Sequence, residues 1–339
     1  MPLTQKGTIL VTGGAGFIGS ALVWALNALG LDHIVISDKL GSDDKLRNLS
    51  ALRFGDYIDG DELISRVERN RGSLGQVIAV FHLGACSATT EKDAAFLMRN
   101  NFEYTKRLCH WALGQRARFI YASSAATYGD GSAGMDDKDE DLFRLRPLNM
   151  YGYSKQLFDV YAQRTGILKG LTGLKYFNIF GPNEDHKADM RSLVNKAYDQ
   201  IVQTGKVQLF KSHRPDFAHG EQQRDFLYVK DAVEMTIHLA QQPLGGGLFN
   251  IGSGTPSTWV ELSTAIFHAL GREPAIEFID MPEVLRGKYQ YYTCADIAKL
   301  RATGWIHPAT PLAEAVHDYV TNYMVPDRKL GDQDWAARA

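Results

Sequence analysis

Thr8-Ile9-Leu10-Val11-Thr12-Gly13-Gly14-Ala15-Gly16-Phe17-Ile18-Gly19 is the stretch on which the fold turns. Its first five residues are a short apolar run with threonine at both ends, the pattern of a buried strand. Phe17 opens a run to residue 29 with apolar residues at helical spacing, so the glycines sit between a strand and a helix. A helix N-terminus offers unpaired N–H groups and the positive end of a dipole, which suit a pyrophosphate. Glycine is needed there because the turn is tight, backbone approaches phosphate, and helix meets strand closely. Gly13, Gly16, Phe17, Ile18 and Gly19 are therefore the first candidate ligands of a dinucleotide.

Moving outward, residues 33–37 read as a second strand ending at Asp38, 19 positions past Gly19. That is the spacing of an acid that bonds the ribose hydroxyls of a dinucleotide. Its carboxylate favours NAD, whereas Lys39 and Lys45 could neutralise a 2′-phosphate, so these residues leave NAD against NADP open. Asp56 is expected in the loop after a third strand, against the adenine. Further strands are predicted over 77–81, 118–122 and 174–177, with helices over 105–113 and from about Tyr151. Strands alternating with helices predict a parallel sheet with right-handed crossovers. After Gly181-Pro182 the pattern shifts to helices over 191–204, 231–241 and 259–270 and short strands over 207–210, 226–229 and 248–251.

The expected fold class is α/β: a Rossmann doubly wound parallel sheet with a smaller C-terminal α/β substrate domain. Residues 1–180 form the dinucleotide-binding domain, completed by returning segments near 225–255. Residues 181–325 are mainly substrate-binding, and 326–339 form a polar tail expected to be loosely held.

Composition narrows the function. Lys+Arg total 37 against 39 Asp+Glu, a formal charge of −2, which lacks the basic excess of a nucleic-acid binder. No run approaches the roughly 20 apolar residues of a membrane span. The N-terminus enters its first strand without a signal pattern, so a soluble cytoplasmic protein is expected. Cys86, Cys109 and Cys294 are too few and too scattered for a disulfide framework and read as buried thiols. His213 and His219 lie in a polar loop over 211–223, read as a solvated cover, and no metal site is expected.

The chemistry begins at Tyr151-Gly152-Tyr153-Ser154-Lys155, where Tyr151 and Lys155 are one helical turn apart and share a face. A lysine ammonium near a phenol eases formation of phenolate, bringing a group of pKa about 10 towards use as a base. Ser123 and Ser124 end a predicted strand at the carboxyl edge of the sheet, where ligands bind in such folds. A serine there can hydrogen-bond a substrate oxygen that becomes a carbonyl.

The glycine loop, Ser123-Ser124-Ala125-Ala126-Thr127-Tyr128-Gly129, the Tyr-x-x-x-Lys pair and Arg224-Asp225-Phe226-Leu227-Tyr228-Val229-Lys230-Asp231 together resemble the extended short-chain dehydrogenase/reductases that act on nucleotide sugars. More narrowly, residues 84–91, 121–129, 147–155 and 176–182 are similar to the ADP-L-glycero-D-manno-heptose 6-epimerase family. Asp185-His186-Lys187 and Gly287-Lys288-Tyr289-Gln290 extend the likeness to about residues 7–325.

The resemblance implies an isomerase that inverts C6″ of ADP-D-glycero-D-manno-heptose by transient oxidation and reduction with tightly bound NADP. Tyr151 and Lys187 would be its two acid/base groups, since one proton carrier cannot serve two opposed poses well. Ser124 and Lys155 would complete the catalytic set. Leu83, Gly84, Ala85, Ser87, Asn100 and Ile179, with Lys155 and Lys187, would contact the coenzyme. Asn178, Asp189, Lys196, Phe210, Lys211, Arg224 and Tyr289, with Ser124, would contact the ADP-sugar, Arg224 at the diphosphate. The family's preference for NADP agrees with Lys39 and Lys45, and its oligomers imply a homo-oligomer, a pentamer.

Three features depart from that pattern. Asp189 stands where a small polar residue is usual, Gly60 where a lysine is expected, and the 211–223 loop is longer. A nucleotide-hexose 4-epimerase would use Tyr151 without needing Lys187. A dehydratase would need acid/base residues where Ala125-Ala126 follow Ser124, and a non-catalytic NADP-binding regulator commonly lacks the tyrosine or lysine that both stand here.

Overall fold

A computed structural model describes residues 3, 6–42, 44–243, 246–286 and 289–333. The strands are β1 (Thr8–Thr12), β2 (Ile34–Asp38), β3 (Asp56–Asp59), β4 (Val77–His82), β5 (Arg118–Ser124) and β6 (Thr172–Tyr176). There follow β7 (Asn178–Phe180), β8 (Val207–Phe210), β9 (Gln223–Arg224), β10 (Phe226–Tyr228), β11 (Gly247–Ile251), β12 (Ser257–Thr258) and β13 (Ile276–Ile279). Seven of them make one parallel sheet in the order β11-β6-β5-β4-β1-β2-β3. Its interior strand β1, beside the central β4, is buried throughout, with Ile9 and Val11 in one apolar cluster and Leu10 in the other. That period-2 alternation is what a sheet covered on both faces demands.

Helices α1 (Phe17–Ala28), α2 (Gly60–Arg69), α3 (Ala94–Leu97), α4 (Tyr104–Gly114) and α5 (Met150–Arg164) accompany the first region. Leu22 and Leu26 of α1 pack on one face, and Leu63 of α2, Leu108 of α4 and Phe158 of α5 on the other. Beyond residue 181, α6 (Leu193–Thr204) and α8 (Trp259–Ala269) pack beside the parallel pair β8–β13. Between them the chain returns: α7 (Val229–Gln241) lies against α1, and β11 joins the first sheet beside β6.

The structure differs from expectation in several places. The pair β3 and α2 is additional to the elements predicted. Asp56 does not follow the third strand; it opens it, pairing with Val35 at the edge away from Asp38, beside Arg66 at 4.0 Å. Asp59 holds the ligand-side end instead, and its side chain caps α2 by accepting from Asp61 N at 2.8 Å. α6 starts two residues later than predicted because the Ser192 hydroxyl caps it. The fourteen-residue tail is not loose where it is described, at 326–333: Leu330 is fully buried, its N–H donates to Asn183 Oδ1 at 3.0 Å, and Lys329 pairs with Asp185. Residues 334–339 and the Gly287-Lys288 pair lie outside the described residues. Among the described residues no helix is long and apolar enough to cross a membrane.

Candidate active site

A cleft of about 950 Å³ opens over the carboxyl ends of β1, β4, β5 and β6, where open α/β sheets bind ligands. Gly13, Gly16, Phe17, Ile18 and Gly19 form its floor at the start of α1. Gly13 turns the chain at φ +68, and a Cβ there would sit 2.6 Å from Gly84 N. One on Gly19 would meet Gly13 O at 2.0 Å. The glycines therefore let three backbone segments converge where a phosphate would approach. Gly16, the residue that precedes α1, has no side chain with which to cap it, so the positive end of the helix faces the cleft. These features fit the pyrophosphate of a dinucleotide.

Asp38 ends β2 and is tied to this loop: Oδ2 accepts from Ala15 N at 2.9 Å and Gly16 N at 3.1 Å. Lys45 Nζ lies 3.4 Å from Oδ1, and Lys39, more exposed, pairs with Asp61. Leu83, Gly84, Ala85 and Ser87 line the opposite wall after β4. Buried His82 fastens that strand end, its Nδ1 2.7 Å from Thr12 Oγ1 and its Nε2 2.7 Å from Thr105 Oγ1. Burial, aided by Lys155, pushes this imidazole down to about 3, so it is neutral at physiological pH.

Ser124, Tyr151 and Lys155 meet on one side of the cleft. The Asn149 side chain caps α5 by accepting from Gly152 N at 2.8 Å, which fixes the helix one residue before Tyr151. A Cβ on Gly152 would meet Ala126 O at 2.7 Å, so glycine allows α5 to press against the turn after Ser124. Burial raises the Tyr151 phenol, and its hydrogen bond with Ser124 opposes that rise. Lys155, expected to lower the phenol, is not among the groups that shift it. Lys155 instead donates to Ala122 O at 2.9 Å, and burial pushes its ammonium down to about 8 against the pull of Asp159.

Lys187 reaches the same cleft from the turn Asp185–Met190, its Nζ 5.2 Å from the centre of the Phe17 ring. Burial lowers its pKa while Glu184 resists the fall. Glu184 is fully buried and accepts from Gly181 N at 3.3 Å and Ser192 Oγ at 2.7 Å. The cleft thus gathers proton-carrying side chains from separate elements, Tyr151 and Lys187 among them, which suits redox chemistry with proton transfer at a carbon bearing a hydroxyl.

A family model for the NAD dependent epimerase/dehydratase family matches residues 9–252. The chain belongs to that family. An ADP-L-glycero-D-manno-heptose-6-epimerase of Nitratidesulfovibrio vulgaris is 54% identical over 316 residues, 93% of this chain and 97% of its own. One from Fusobacterium nucleatum is 45% identical over 328 residues, 94% and 98% of the two chains. The crystal structure of the Helicobacter pylori ADP-L-glycero-D-manno-heptose-6-epimerase matches with a TM-score of 0.77 at 26% identity, covering 94% and 96%. A Methanobrevibacter ruminantium UDP-N-acetylglucosamine 4-epimerase, at 0.80 and 23% over 96% and 100%, shares the fold.

Not every residue expected at the site of this epimerase lies on the cleft wall. Asn178, Ile179, Lys196, Phe210 and Tyr289 do. Lys39, Asn100, Asp189, Lys211 and Arg224 do not; Asp189 is exposed and Lys211 pairs with Asp280 at 3.2 Å. Arg224 lies behind the wall, 5% exposed, its guanidinium 5.6 Å from the Trp259 ring and 5.1 Å from Tyr289. Its side chain donates to the carbonyls of Gln223 and Gln290, and burial pushes it down to about 10. Cys86 is no buried structural thiol, for it lines the cleft, and Cys294 is half-buried; Cys109 is fully buried, its thiol pushed up to about 12.

Sequence reading missed two buried asparagines. Asn101 accepts from Cys86 N at 2.9 Å and donates to Cys86 O at 2.9 Å, gripping the wall from the turn before α4. Asn48 donates to Ala15 O at 2.9 Å and Asn183 O at 3.1 Å, joining the glycine loop to the Lys187 turn. The backbone groups that their side chains grip lie 15 to 135 positions away, so no local pattern marks either one.

Proposed function

We propose that the chain converts ADP-D-glycero-D-manno-heptose to ADP-L-glycero-D-manno-heptose by inverting C6″ through a transient 6″-ketone. The observation that carries this is the pairing of Tyr151 on α5 with Lys187 on the turn Asp185–Met190 in one cleft. Inversion needs a proton carrier for each of two opposed substrate poses. When bound, the nicotinamide supplies a hydride acceptor and donor at C6″. Tyr151 takes or returns the hydroxyl proton in one pose and Lys187 in the other. Ser124 donates to the oxygen that becomes the carbonyl, and Lys155 holds the base of α5 against β5 through Ala122 O. The depressed Lys187 suits proton exchange nearer neutral pH than a free lysine would.

The dinucleotide lies along residues 1–180, completed by the returning segment near 225–255, and the sugar nucleotide lies mainly against 181–325. Coenzyme contacts come from the glycine loop, Asp38, Lys45, Leu83, Gly84, Ala85, Ser87 and Ile179. Asn178, Lys196, Phe210 and Tyr289 face the ADP-sugar, with Arg224 placing a charge behind the aromatic wall. NADP is the coenzyme favoured, because Lys45 sets a positive charge 3.4 Å from the Asp38 carboxylate and the Lys39 ammonium stands one residue on, paired with Asp61. The family likeness supports a cytoplasmic homo-oligomer.

NMR of ADP-D-glycero-D-manno-heptose with purified protein and no added reductant is expected to reveal the L-glycero epimer. The same assay on Tyr151→Phe/Lys187→Ala, with folding checked by circular dichroism, is expected to reveal none. Near-normal turnover in that double variant overturns the two-base reading. An unchanged heptose alongside conversion of a UDP-hexose overturns the substrate. Mass analysis of acid-released coenzyme is expected to give NADP; NAD alone overturns that assignment.

A further inference from the structure

We propose that the C-terminal segment over residues 327–331 is a latch that positions Lys187, with Lys329 as the positioning residue acting through Asp185. The proposal rests on the reading of Lys187 as one of two acid/base groups.

Lys187 sits where regular structure gives it little support. The turn that carries it is a short helical stretch broken at Ala188, whose φ is +46, and it follows Asn183 at φ +77. Such a stretch has no long ladder of backbone bonds to fix it, so its place is set by side-chain ties. Two of those ties come from the C-terminal segment. Lys329 pairs with Asp185, two positions before Lys187, and Leu330 N donates to Asn183 Oδ1 at 3.0 Å, four positions before it. Asn195 completes the grip by donating to Asp185 Oδ1 at 3.0 Å from α6.

The segment is itself firmly seated. Leu330 belongs to the main apolar core. Gly331, at φ +95, lies so close to residue 51 that a Cβ would come within 3.0 Å of Ala51 Cβ. Asp327 accepts from Arg47 at 2.9 Å. Residues 45–51 therefore hold the latch at one end, while Lys45 and Asn48 from the same stretch reach Asp38 and the glycine loop. Lys329 is only 6% exposed. Lysine is almost never buried so far unless it is paired, and its partner here is on the catalytic turn.

The consequence is one-sided. Tyr151 stands on α5, capped by Asn149, and none of the latch ties runs to that helix. Loosening the latch displaces Lys187 and leaves Tyr151 in place. A misplacement of about 1 Å can slow a step by roughly 10²-fold.

The test uses the coenzyme-loaded enzyme under single turnover, with each heptose epimer supplied separately and the reduced nicotinamide followed by absorbance. Lys187→Ala defines which direction depends on Lys187. Lys329→Met is expected to slow that direction by roughly 10- to 100-fold and the other by less than about 2-fold. Lys329→Arg, which keeps the pair with Asp185, is expected to restore it, and Asp185→Asn to repeat the one-sided loss. The unaffected direction reports that each variant is folded. Equal slowing in both directions, or in neither, while Lys187→Ala remains one-sided overturns the latch and leaves the two-base reading standing. A Lys187→Ala defect that is not one-sided overturns the two-base reading, and the latch with it.

Discussion

Tyr151 and Lys187 reach the same cleft with their proton affinities moved in opposite directions, the phenol up and the ammonium down, with burial the first cause of each. Desolvation disfavours whichever form is charged, so it raises an acid and lowers a base. Glu184 is the counterweight, because its carboxylate resists the fall of Lys187. In Glu184→Gln the ammonium loses that negative neighbour, and its pKa falls further below 10.5. The ionisation of Lys187 in the kcat/KM profile is therefore expected at lower pH than in wild type. An amide nitrogen would also face the Gly181 or Ser192 donors, so stability should drop by about 1–3 kcal/mol. A pH profile superimposable on that of wild type would rule out Glu184 as the tuning group. At this scale the sequence made the glycines, Asp38 and the Tyr151–Lys155 pair legible, because their spacing along one loop or helix carries the geometry. Lys187 was legible only through family likeness, since a short turn has no periodicity. Glu184 and Asn48 were not legible, because burial and distant partners define them.

Elements bring these residues together only as closely as glycine allows, and α5 is the clearest case. An alanine is favoured over glycine inside a helix by about 1 kcal/mol. At position 152 the added Cβ would sit 2.7 Å from Ala126 O and 3.1 Å from Pro147 Cβ. Backbone on one side and a proline ring on the other cannot yield cheaply, so the helix must move away from Ser124. Gly152→Ala is expected to lower kcat by roughly 10²-fold while coenzyme stays bound at wild-type stoichiometry, because the glycine loop is untouched. A kcat within about 2-fold of wild type would sink this account. The same scale explains what sequence reading overlooked. β3 is an edge strand of four residues with an acid at each end, two of the four exposed, so it lacks the apolar run that betrays β1. α2 did carry a readable signal in Leu63, Ile64 and Val67 behind the Asp59 cap, but without β3 before it the unit had no beginning.

At the scale of the molecule, the proposed division into a dinucleotide region and a sugar region concerns where ligands would lie rather than how the chain holds together. One apolar cluster contains Ile9 and Val11 of β1 with Ile201 of α6, Leu209 of β8 and Leu262 of α8. The chain also crosses repeatedly: β11 completes the first sheet after β10, α7 rests on α1, and residues 329–330 return to Asp185 and Asn183. Independent domains are joined by linkers that few contacts cross, and this arrangement is the opposite. Pulsed hydrogen exchange along a denaturant titration is therefore expected to expose peptides of β5 and of the β8–β13 pair at the same midpoint. Saturating coenzyme, bound to the native state at the start of α1 as proposed, should at 100 times its Kd stabilise the whole by about 2.7 kcal/mol. If the regions unfold as one, both sets of peptides shift by that same amount, although β13 lies outside the glycine loop. A shift confined to β5, or a lower midpoint for β8–β13 alone, would mean that the sugar region opens by itself. The shared cluster would then be too weak to couple the two.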